Sequence, residues 1–470
     1  MVSRLRRVPS PLLLLLVAAA IVACAWIFLM PPLQGPDEGS HYSYTERIAE
    51  QHAIPWRPTT APERAGSGDF ASDIYVALNE GGFGALAGNL QARPLWTKPD
   101  ETLYLERAKG IARNNGGLTS AMRNPPVYYL YEAAPYAAAS GGSLLDRVYL
   151  MRLANVPLYL AAIVFTWLLA GELCAGWPRY LATAAAALPP QLLNNVSDVN
   201  PDILLVTEWA AALWLMALIF RRGPRAGLVA WLTAVCVLGA LTHQRSLPLF
   251  LPAAIVVLLA LARERNWRRV SVRVVATVAI GGYALITLLW ASIGSGSVRE
   301  FLSYIWQFYL PKIGFMQQTL GPAGYDFRKG FVDRWFGTLA QLEVGLPHGL
   351  ETALYWVTVG GLVALVLAIV IRRVSLTERA PLAVAFGAAV FALLLAVHLI
   401  AYRSMLTVPD DPIVTARYLL PLTPLFGLAI AFVATTLPRR AAPVFGAAAL
   451  ALLVCLQFES LGLLLERFYA

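Results

Sequence analysis

Charge is scarce in this sequence. Of the 470 residues only 14% are charged and 58% are hydrophobic, whereas ordinary globular proteins carry about 25% charged residues. Lysine is almost absent, since the chain contains only Lys98, Lys109, Lys312 and Lys329. A chain this apolar does not stay disordered, and soluble cores cannot bury so many apolar side chains. The composition therefore predicts a protein that is embedded in a lipid bilayer.

Cysteines and nucleotide-binding motifs are also rare or missing. Four cysteines, without the spacing of metal ligands, exclude a disulfide framework and indicate no metal site. The sequence has no Walker A loop and no Gly-x-Gly-x-x-Gly motif after a strand, so ATP or a nicotinamide is not indicated. The net charge of +9 comes from arginines in short patches between apolar stretches. Such patches are typical of topology signals, so nucleic acid is not an expected partner.

Long apolar stretches follow one another along most of the chain. A helix needs about 20 mostly apolar residues to cross a hydrocarbon core of about 30 Å. About eleven segments meet this requirement: 11–30, 147–170, 179–197, 202–220, 226–242, 246–262, 270–291, 352–371, 381–401, 417–437 and 442–458. The separation of the fifth segment from the sixth is the least secure. The sequence therefore predicts an all-α integral membrane protein with about eleven transmembrane helices.

Two long segments interrupt this series. Residues 31–146 are polar, aromatic and rich in glycine and proline. Residues 292–351 contain an aromatic stretch with one lysine, which is typical of a membrane interface or a re-entrant segment. We expect residues 1–437 to form one transmembrane domain that includes both segments. Residues 438–470 are expected to form a C-terminal transmembrane helix and tail.

The arginines predict the orientation of the helices. If the N-terminus is cytoplasmic, every second loop is basic, as the positive-inside rule requires. The segments 31–146 and 292–351 then lie on the outer face, and we expect a multi-pass protein of a bacterial plasma membrane. A cleaved signal peptide, ending near Ala23-Cys24-Ala25, is the alternative for the first apolar run. Because that run continues to Met30, an uncleaved helix is favoured.

The residues after the first predicted helix combine two carboxylates with an imidazole. Asp37 and Glu38 are adjacent, and His41 follows one turn later if a helix begins at Asp37. Carboxylates near a low-dielectric boundary can accept a proton from a hydroxyl group or bind a divalent cation. This arrangement predicts a catalytic group of Asp37, Glu38 and His41, with Asp37 as a candidate metal ligand. Ordinary helix capping by Asp37, beside a solvated loop, is the alternative.

Cations at the outer ends of other predicted helices are candidates for binding a substrate. His243 and Arg245 lie between two short spans, and a lipid phosphate is a natural partner for an arginine there. Lys312 and Arg417 are further outer cations among aromatic residues. Interfacial snorkelling of these side chains is the alternative.

The start of the fourth predicted helix adds polar residues on the same side. Asn200 precedes Pro201 and Asp202, a pattern that is typical of a helix N-terminus. Asp198 supplies a second carboxylate close by. These three polar side chains either cap the helix or line a substrate cleft.

Four short motifs resemble those of a known group of membrane enzymes. Pro36-Asp37-Glu38-x-x-His41 looks like the signature of a bacterial family of polytopic membrane proteins. That family in turn resembles the GT-C glycosyltransferases, which use polyprenyl-phosphate-linked sugars. Further similar elements occur as far as about residue 430 and are Asn-Pro-Pro-Val-Tyr-Tyr-Leu (124–130), Asn-Pro-Asp (200–202) and Arg-Tyr-Leu-Leu-Pro (417–421).

This resemblance implies a GT-C-like fold and gives several residues a role. Asp37 would act at the acceptor, as catalytic base or acceptor holder, with Glu38 as its neighbour. His41 belongs to the narrower signature and has no settled role. Asn124 and Tyr418 join the predicted substrate-binding residues through their motifs. The first outer segment lacks an Asp-x-Asp pair, so a divalent cation is kept only as an alternative cofactor.

These features together predict a membrane glycosyltransferase of the cell envelope. It would move a sugar from a polyprenyl-phosphate donor to a glycan or glycolipid acceptor, in cell-wall, polysaccharide or glycolipid assembly. Direct attack by the acceptor would invert the anomeric centre. A transporter or flippase of lipid-linked sugars is one alternative, although the predicted helices carry almost no central charge apart from His398 and Glu208. A non-catalytic assembly protein with a transferase-like fold is the other.

Overall fold

Helices make up most of the structure. The computed structural model describes residues 9–56, 70–86, 89–94, 97–116, 118–263, 298–317, 326–407 and 414–470. Within these ranges helices are joined by turns, and the only β-type pairing is an isolated bridge between Leu339 and Val344. The predicted all-α class is confirmed.

The helices fall into two runs along the chain. The first run contains α1 (Ser10–Leu29), α2 (Glu38–Gln51), α3 (Ser72–Asn79), α4 (Phe83–Leu86), α5 (Lys98–Ala108), α6 (Val127–Ala138), α7 (Leu144–Leu173), α8 (Trp177–Ala187), α9 (Pro190–Val196), α10 (Asp202–Arg222), α11 (Ala226–Thr242) and α12 (Phe250–Arg263). The second contains α13 (Val298–Tyr309), α14 (Arg334–Phe336), α15 (His348–Ile371), α16 (Arg373–Glu378), α17 (Ala380–Thr407), α18 (Thr423–Thr436) and α19 (Ala441–Tyr469). Short turns of 3-10 helix at Gln244–Leu249 and Ala416–Leu422 lead into α12 and α18.

Eight of the described helices are long and apolar enough to cross a membrane. They are α1, α7, α10, α15, α17 and α19, together with α12 and α18 counted with their preceding turns. Each coincides with a predicted span. A shorter apolar helix, α11, has 17 residues and matches the span predicted over 226–242. The predicted span 270–291 lies outside the described residues, so the total of eleven stays a prediction.

The span predicted over 179–197 is a broken helix. Helix α8 ends at Ala187, and α9 begins after Pro189 and consists of seven buried residues. Proline lacks an N–H group and its ring clashes with the preceding turn, so the Pro189-Pro190 pair prevents one continuous helix. The break leaves a short helix that is fully inside the bundle and leads directly into Asp198 and α10.

Helix α10 is the central helix of the bundle. It packs mainly against α7, α11 and α12, and most of its residues are buried, including Trp209.

The backbones of α8 and α18 approach each other closely where the two helices cross. A Cβ atom on Gly427 would lie 3.0 Å from the carbonyl carbon of Ala182, so only glycine allows this approach.

Basic side chains gather at one end of the bundle. Arg221 and Arg222 pair with Glu172 near the end of α7 (2.9 and 3.4 Å), and Arg379 donates to the carbonyl of Leu173 (3.2 Å). These arginines lie in loops that the sequence predicts to be cytoplasmic. Residues 31–146 lead into the start of α7, whereas the basic contacts are at its end, so the segment and the basic side chains belong to opposite ends of this helix. The direction of the bundle in the membrane stays a prediction.

Two buried arginines fasten the segment 31–146 to the bundle. Arg147 of α7 donates to Asp73 Oδ2 (2.7 Å) and to the hydroxyl of Tyr42 (2.7 Å). Arg467 of α19 pairs with Glu343 (3.0 Å) and donates to backbone carbonyls of the segment, those of Leu86, Asn89 and Ala92. Helix α2 is thereby held over one end of the bundle.

Candidate functional site

Asp37 lies in the turn between α1 and α2. Its backbone is left-handed (φ 63°, ψ 11°), a conformation that aspartate and asparagine adopt more readily than most residues. The capping interpretation is wrong, because the Asp37 side chain accepts no hydrogen bond from the first turn of α2. It pairs instead with Arg417, with 3.3 Å between Oδ2 and Nη2. The Asp37 side chain is 57% exposed and therefore reaches solvent.

Four charged residues from distant parts of the sequence meet here, and we call Asp37, Asp202, Arg245 and Arg417 the charged cluster. Arg245 is bonded to Asp202 Oδ1, and Arg417 Nε lies 3.7 Å from Asp202 Oδ2. Asp202 and both arginines are buried, in contrast to Asp37. The structure thus brings an acid from the start of the chain together with cations from its middle and its last quarter.

Both arginines of the cluster are held in the same local way. Arg245 and Arg417 each lie in a short 3-10 turn that begins a membrane-spanning helix. The side chain two residues earlier accepts the arginine backbone N–H: His243 Nδ1 does so at 3.0 Å and the Thr415 hydroxyl at 3.4 Å. The ring of Tyr418 contacts both guanidinium groups, with Cζ 4.3 Å from its centroid for Arg245 and 5.5 Å for Arg417.

Several polar atoms of the cluster have no hydrogen-bond partner among the described residues, although Arg417 Nε faces Asp202 Oδ2 at 3.7 Å. They are Arg245 Nη1, Arg417 Nε, Arg417 Nη1 and Asp202 Oδ2, and all four are buried. A buried N–H group without an acceptor is costly, and more so on a charged side chain. The two Nη1 groups, on adjacent guanidinium groups, together with Arg417 Nε beside Asp202, form a preorganised site for an anion that has several oxygen acceptors.

The neighbours of Asp37 hold it ionised, and burial holds both nearby imidazoles neutral. Desolvation by the surrounding protein acts to raise the pKa of Asp37, although its side chain reaches solvent. The charges and the hydrogen bond of its neighbours, with Arg417 the strongest of them, together outweigh this effect, and the pKa lies below its ordinary value. Burial lowers the pKa of His41 to about 4, against the opposing effect of Asp37. Burial and Arg245 hold the pKa of His243 well below its ordinary value. At neutral pH the two guanidinium cations therefore face two carboxylates, and neither histidine adds a positive charge.

His41 is connected to the motif at 124–130. Its Nδ1 lies 2.8 Å from the hydroxyl of Tyr129. The oxygen of this hydroxyl accepts a hydrogen bond from Asn124 Nδ2 (3.0 Å). Asn124, which the sequence predicts to bind substrate, is therefore placed behind His41 and Tyr129. Tyr129 is not among the site residues that the sequence predicts, although it belongs to the same motif as Asn124.

Glu38 lies away from Asp37 in spite of being its neighbour. Both carboxylate oxygens of Glu38 accept hydrogen bonds from Arg152 of α7, each at 2.6 Å, and both side chains are fully buried. The backbone N–H of Val199 also donates to Glu38 Oε1 (3.2 Å). This position leaves no room for a substrate, so it does not support the prediction that Glu38 acts with Asp37. Arg152 lies inside a predicted span, and a charged residue at such a position indicates a buried partner.

The remaining predicted residues take different positions. Asn200 accepts the N–H of Asp202 (3.1 Å), as in the capping interpretation, and donates to Asp198 Oδ2 (3.3 Å). Asp198 is fully buried. Burial and the charge of Glu38 raise the pKa of Asp198, against the opposing effects of nearby arginines. Lys312 is exposed, and no described contact joins it to the charged cluster.

Gly35 is required by the position of Asp198. A Cβ atom on Gly35 would lie 2.8 Å from Asp198 Cβ, and Asp198 has no free space into which to move. We therefore expect Gly35→Ala to lower the stability of the protein in detergent by about 1–3 kcal/mol, as overpacking does. Thermal unfolding, followed by intrinsic fluorescence, measures the effect. Gly141→Ala is the control, because open space surrounds that glycine; equal melting temperatures for the two variants would contradict the expectation.

The charged cluster suits an anion better than a metal ion. Within the described ranges no three His, Cys, Asp or Glu residues are grouped closely enough to hold a metal. Each of the two carboxylates of the cluster already faces an arginine, and a cation there would be repelled by both guanidinium groups. The cluster does not fit the divalent cation that was kept as an alternative, and no step of the chemistry below uses one.

Comparison with known proteins decides the family. Residues 20–426 match the predicted membrane proteins of the DUF2142 family. The chain belongs to this family. The predicted membership of a polytopic membrane family is thereby confirmed. No protein with a curated description matches the chain.

Several solved structures match the chain at low sequence identity. ArnT from Cupriavidus metallidurans, in the apo state, is 15% identical with a TM-score of 0.47, and the match covers 92% of this chain and 61% of that one. The apo oligosaccharyltransferase from Archaeoglobus fulgidus is 12% identical with a TM-score of 0.48, with 97% and 56% covered. AglB from the same organism, in complex with an inhibitory peptide and a dolichol-phosphate, is 13% identical with a TM-score of 0.45, with 98% and 56% covered. This chain thus spans only about three fifths of those proteins, and the similarity assigns no activity to it.

Proposed function

We propose that the protein is a membrane glycosyltransferase that moves a sugar from a polyprenyl-phosphate donor to a glycan or glycolipid acceptor. The observation that carries this proposal is a set of three buried guanidinium nitrogens without a hydrogen-bond partner among the described residues, Arg245 Nη1, Arg417 Nη1 and Arg417 Nε. They lie beside the carboxylate of Asp37, which is accessible to solvent. Phosphate oxygens are strong acceptors for arginine N–H groups. Both arginines begin membrane-spanning helices, so a phosphate held there would keep its lipid chain beside the apolar bundle.

The proposed reaction is a single displacement at the anomeric carbon. The acceptor hydroxyl forms a bond to that carbon, the bond from the carbon to the phosphate oxygen breaks, and the polyprenyl phosphate leaves. Asp37 accepts the proton of the hydroxyl group, and the two arginines neutralise the charge that develops on the phosphate. Such a displacement inverts the anomeric centre.

Arg417 links donor binding to the basicity of Asp37. In the structure it pairs with Asp37 and lowers the pKa of that carboxyl. A bound phosphate would share the charge of Arg417 and weaken this pairing. The pKa of Asp37 would then rise, so the base becomes stronger only when the donor is in place.

The proposed site lies on the outer face of a bacterial plasma membrane. Asp37 of the charged cluster lies in the segment 31–146, which leads into the start of α7, whereas the basic side chains gather at the end of α7. Because cytoplasmic loops carry the excess of arginine and lysine, the positive-inside rule supports an outer location for the cluster. Cell-wall, polysaccharide or glycolipid assembly on that face is the proposed setting.

The position of the cluster favours a transferase over a transporter. A transporter needs charged groups near the middle of the membrane, along a path between the two faces. Of the two central polar residues expected from the sequence, His398 is bonded to the hydroxyls of Tyr304 and Tyr309 (2.9 and 2.8 Å), and Glu208 accepts a hydrogen bond from Thr242 (2.7 Å). Both therefore have a partner within the bundle, although Glu208 Oε2 has none among the described residues. The buried cationic donors without hydrogen-bond partners belong instead to the charged cluster.

Binding of polyprenyl phosphate tests the phosphate site directly. We expect Arg417→Ala and Arg245→Ala each to weaken binding about 10- to 100-fold, because each removes charge-assisted hydrogen bonds. Native mass spectrometry of the purified protein with added undecaprenyl phosphate measures the bound fraction. Arg107→Ala is the control, since Arg107 forms an exposed ion pair with Glu80 on the segment 31–146. Unchanged binding by both cluster variants, with correct folding, would exclude the proposed phosphate site.

A further inference from the structure

A chain of two hydrogen bonds ends on the ring of His41. Asn124 Nδ2 donates to the hydroxyl oxygen of Tyr129 at 3.0 Å, and the same hydroxyl lies 2.8 Å from His41 Nδ1. Because an amide NH2 group can only donate, the Tyr129 oxygen is the acceptor in the first bond. Tyr129 is fully buried, and among the described residues His41 Nδ1 is the only other group within hydrogen-bond distance of this hydroxyl, so the hydroxyl proton would lose its acceptor unless it points to His41. We infer that the second bond runs from the Tyr129 O–H group to His41 Nδ1.

We propose that Tyr129 is a positioning residue that fixes His41 in the tautomer with its proton on Nε2. A neutral imidazole has one donor and one acceptor nitrogen, so a ring that accepts at Nδ1 must donate from Nε2. That N–H is then the one ring donor of His41 that is left for Asp37 or for an oxygen atom of the substrate. The effect on catalysis rests on the proposed transfer reaction, whereas the tautomer itself does not.

The surroundings of Tyr129 hold its hydroxyl group in place. Tyr129 is fully buried on α6, and its ring stacks on that of Tyr44 with 3.8 Å between centroids and an interplanar angle of 15°. Asn124 precedes α6 by two prolines, which restrict the backbone between them. Ring and amide are thus both fixed before any substrate binds, and the direction of the hydrogen-bond chain is built into the fold.

Charges that face His41 come from four elements. They are Asp37 in the turn before α2, Asp202 on α10, and Arg245 and Arg417 on the two 3-10 turns, with neutral His243 beside Arg245. Burial and the arginines oppose protonation of His41, Asp37 and Asp202 favour it, and the pKa of His41 is about 4. A hydroxyl group that donates to Nδ1 also stabilises the neutral ring. Removing it is therefore expected to raise this pKa.

Tyr128 provides a matched control. It is the neighbour of Tyr129, it is equally buried, and its hydroxyl donates to Asn155 Oδ1 (3.1 Å) instead of to a histidine. Tyr128→Phe therefore removes a buried tyrosine hydroxyl from the same helix turn without touching His41. A purely structural effect of losing a hydroxyl would be the same in both variants.

The test is an NMR titration of protein with ¹⁵N-labelled histidine in nanodiscs, in which His41→Gln identifies the His41 signals. We expect Nε2 of His41 to carry the proton at pH 7. In Tyr129→Phe we expect a mixture of tautomers and a titration midpoint about one pH unit higher. Tyr128→Phe should leave the His41 signals unchanged. A proton on Nδ1 in the unmodified protein would overturn the proposal, as would an unchanged titration in Tyr129→Phe.

A second variant and an activity measurement keep this inference separate from the proposed reaction. If Tyr129→Phe does not fold, Asn124→Ala removes the donor that orients the hydroxyl and should also produce mixed tautomers, while an unchanged tautomer there contradicts the proposal. Where transfer is detected, kcat/KM is measured as a function of pH. The acid limb of this profile should shift to higher pH in Tyr129→Phe and stay unchanged in Tyr128→Phe. The expected tautomer without any transfer would refute the reaction alone, and transfer with an unmoved acid limb would refute the role of Tyr129.

Discussion

Asp37→Asn should reduce sugar transfer by about 10²- to 10⁴-fold, the usual contribution of a positioned base. Asparagine has the same shape, but its amide cannot accept the proton of an acceptor hydroxyl. Asparagine also adopts the left-handed backbone conformation of residue 37 without added strain. The variant therefore removes the base while keeping the turn between α1 and α2.

The loss of transfer should not be accompanied by a loss of the folded protein. Asp37 is 57% exposed, and its one ion pair, with Arg417, is replaced by a hydrogen bond to the asparagine amide oxygen. We expect the expression level and the melting temperature of Asp37→Asn to stay close to those of the unmodified protein. Radiolabelled polyprenyl-phosphate sugars and an acceptor extract in proteoliposomes provide the assay.

Asp100→Asn is the control for Asp37→Asn. It changes a carboxylate of the same segment, 31–146, where Asp100 takes part in the capping box of α5 and touches no residue of the charged cluster. Transfer by this control should be unaffected. If Asp37→Asn retains full transfer, Asp37 is not the base, and the protein then fits the non-catalytic alternative better.

The sequence predicted most of the charged cluster because position relative to the membrane is readable from hydropathy. Asp37, Arg245 and Arg417 each stand at the end of an apolar run, and counting runs places all three ends on one side. Helices that cross a bilayer have little freedom in length, so their ends are brought to the same level. Side chains at these ends can meet although they are up to 380 positions apart.

The orientation of each side chain could not be predicted in the same way. Asp37 and Glu38 are adjacent, yet Asp37 pairs with Arg417 and Glu38 pairs with Arg152. The difference arises because residue 37 is left-handed and residue 38 is the first of α2, a local change of direction that no periodicity reveals. Capping of α2 by Asp37 was the alternative interpretation, and in this conformation its side chain pairs with Arg417 instead.

Arg152→Leu should destabilise the protein by about 3–5 kcal/mol, the usual cost of breaking a buried ion pair by removing one partner. It leaves the carboxylate of Glu38 buried with the N–H of Val199 as its remaining donor. It also removes hydrogen bonds from the guanidinium group to the carbonyls of Met30 (2.6 Å) and Pro31 (3.0 Å), just beyond α1. Chemical or thermal unfolding in detergent measures the loss.

The double variant Glu38→Leu/Arg152→Leu separates the ion pair from the carbonyl bonds. With both charges removed, no uncompensated charge stays buried, so the double variant should be more stable than Arg152→Leu alone. It should still be less stable than the unmodified protein, because the carbonyls after α1 lose their donor at a cost of about 1–3 kcal/mol. Additive losses in the two single variants would show that Glu38 and Arg152 do not stabilise each other.

The same pair of residues distinguishes a structural carboxylate from a catalytic one. Glu38→Gln keeps the shape and hydrogen-bonding capacity of the side chain but removes the charge opposite Arg152, so it should lower stability. Transfer per folded molecule should fall far less than in Asp37→Asn, since both oxygens of Glu38 are already occupied by Arg152. A Glu38→Gln protein that is stable but inactive would instead place Glu38 in the reaction, and the buried ion pair would then have to open during the catalytic cycle.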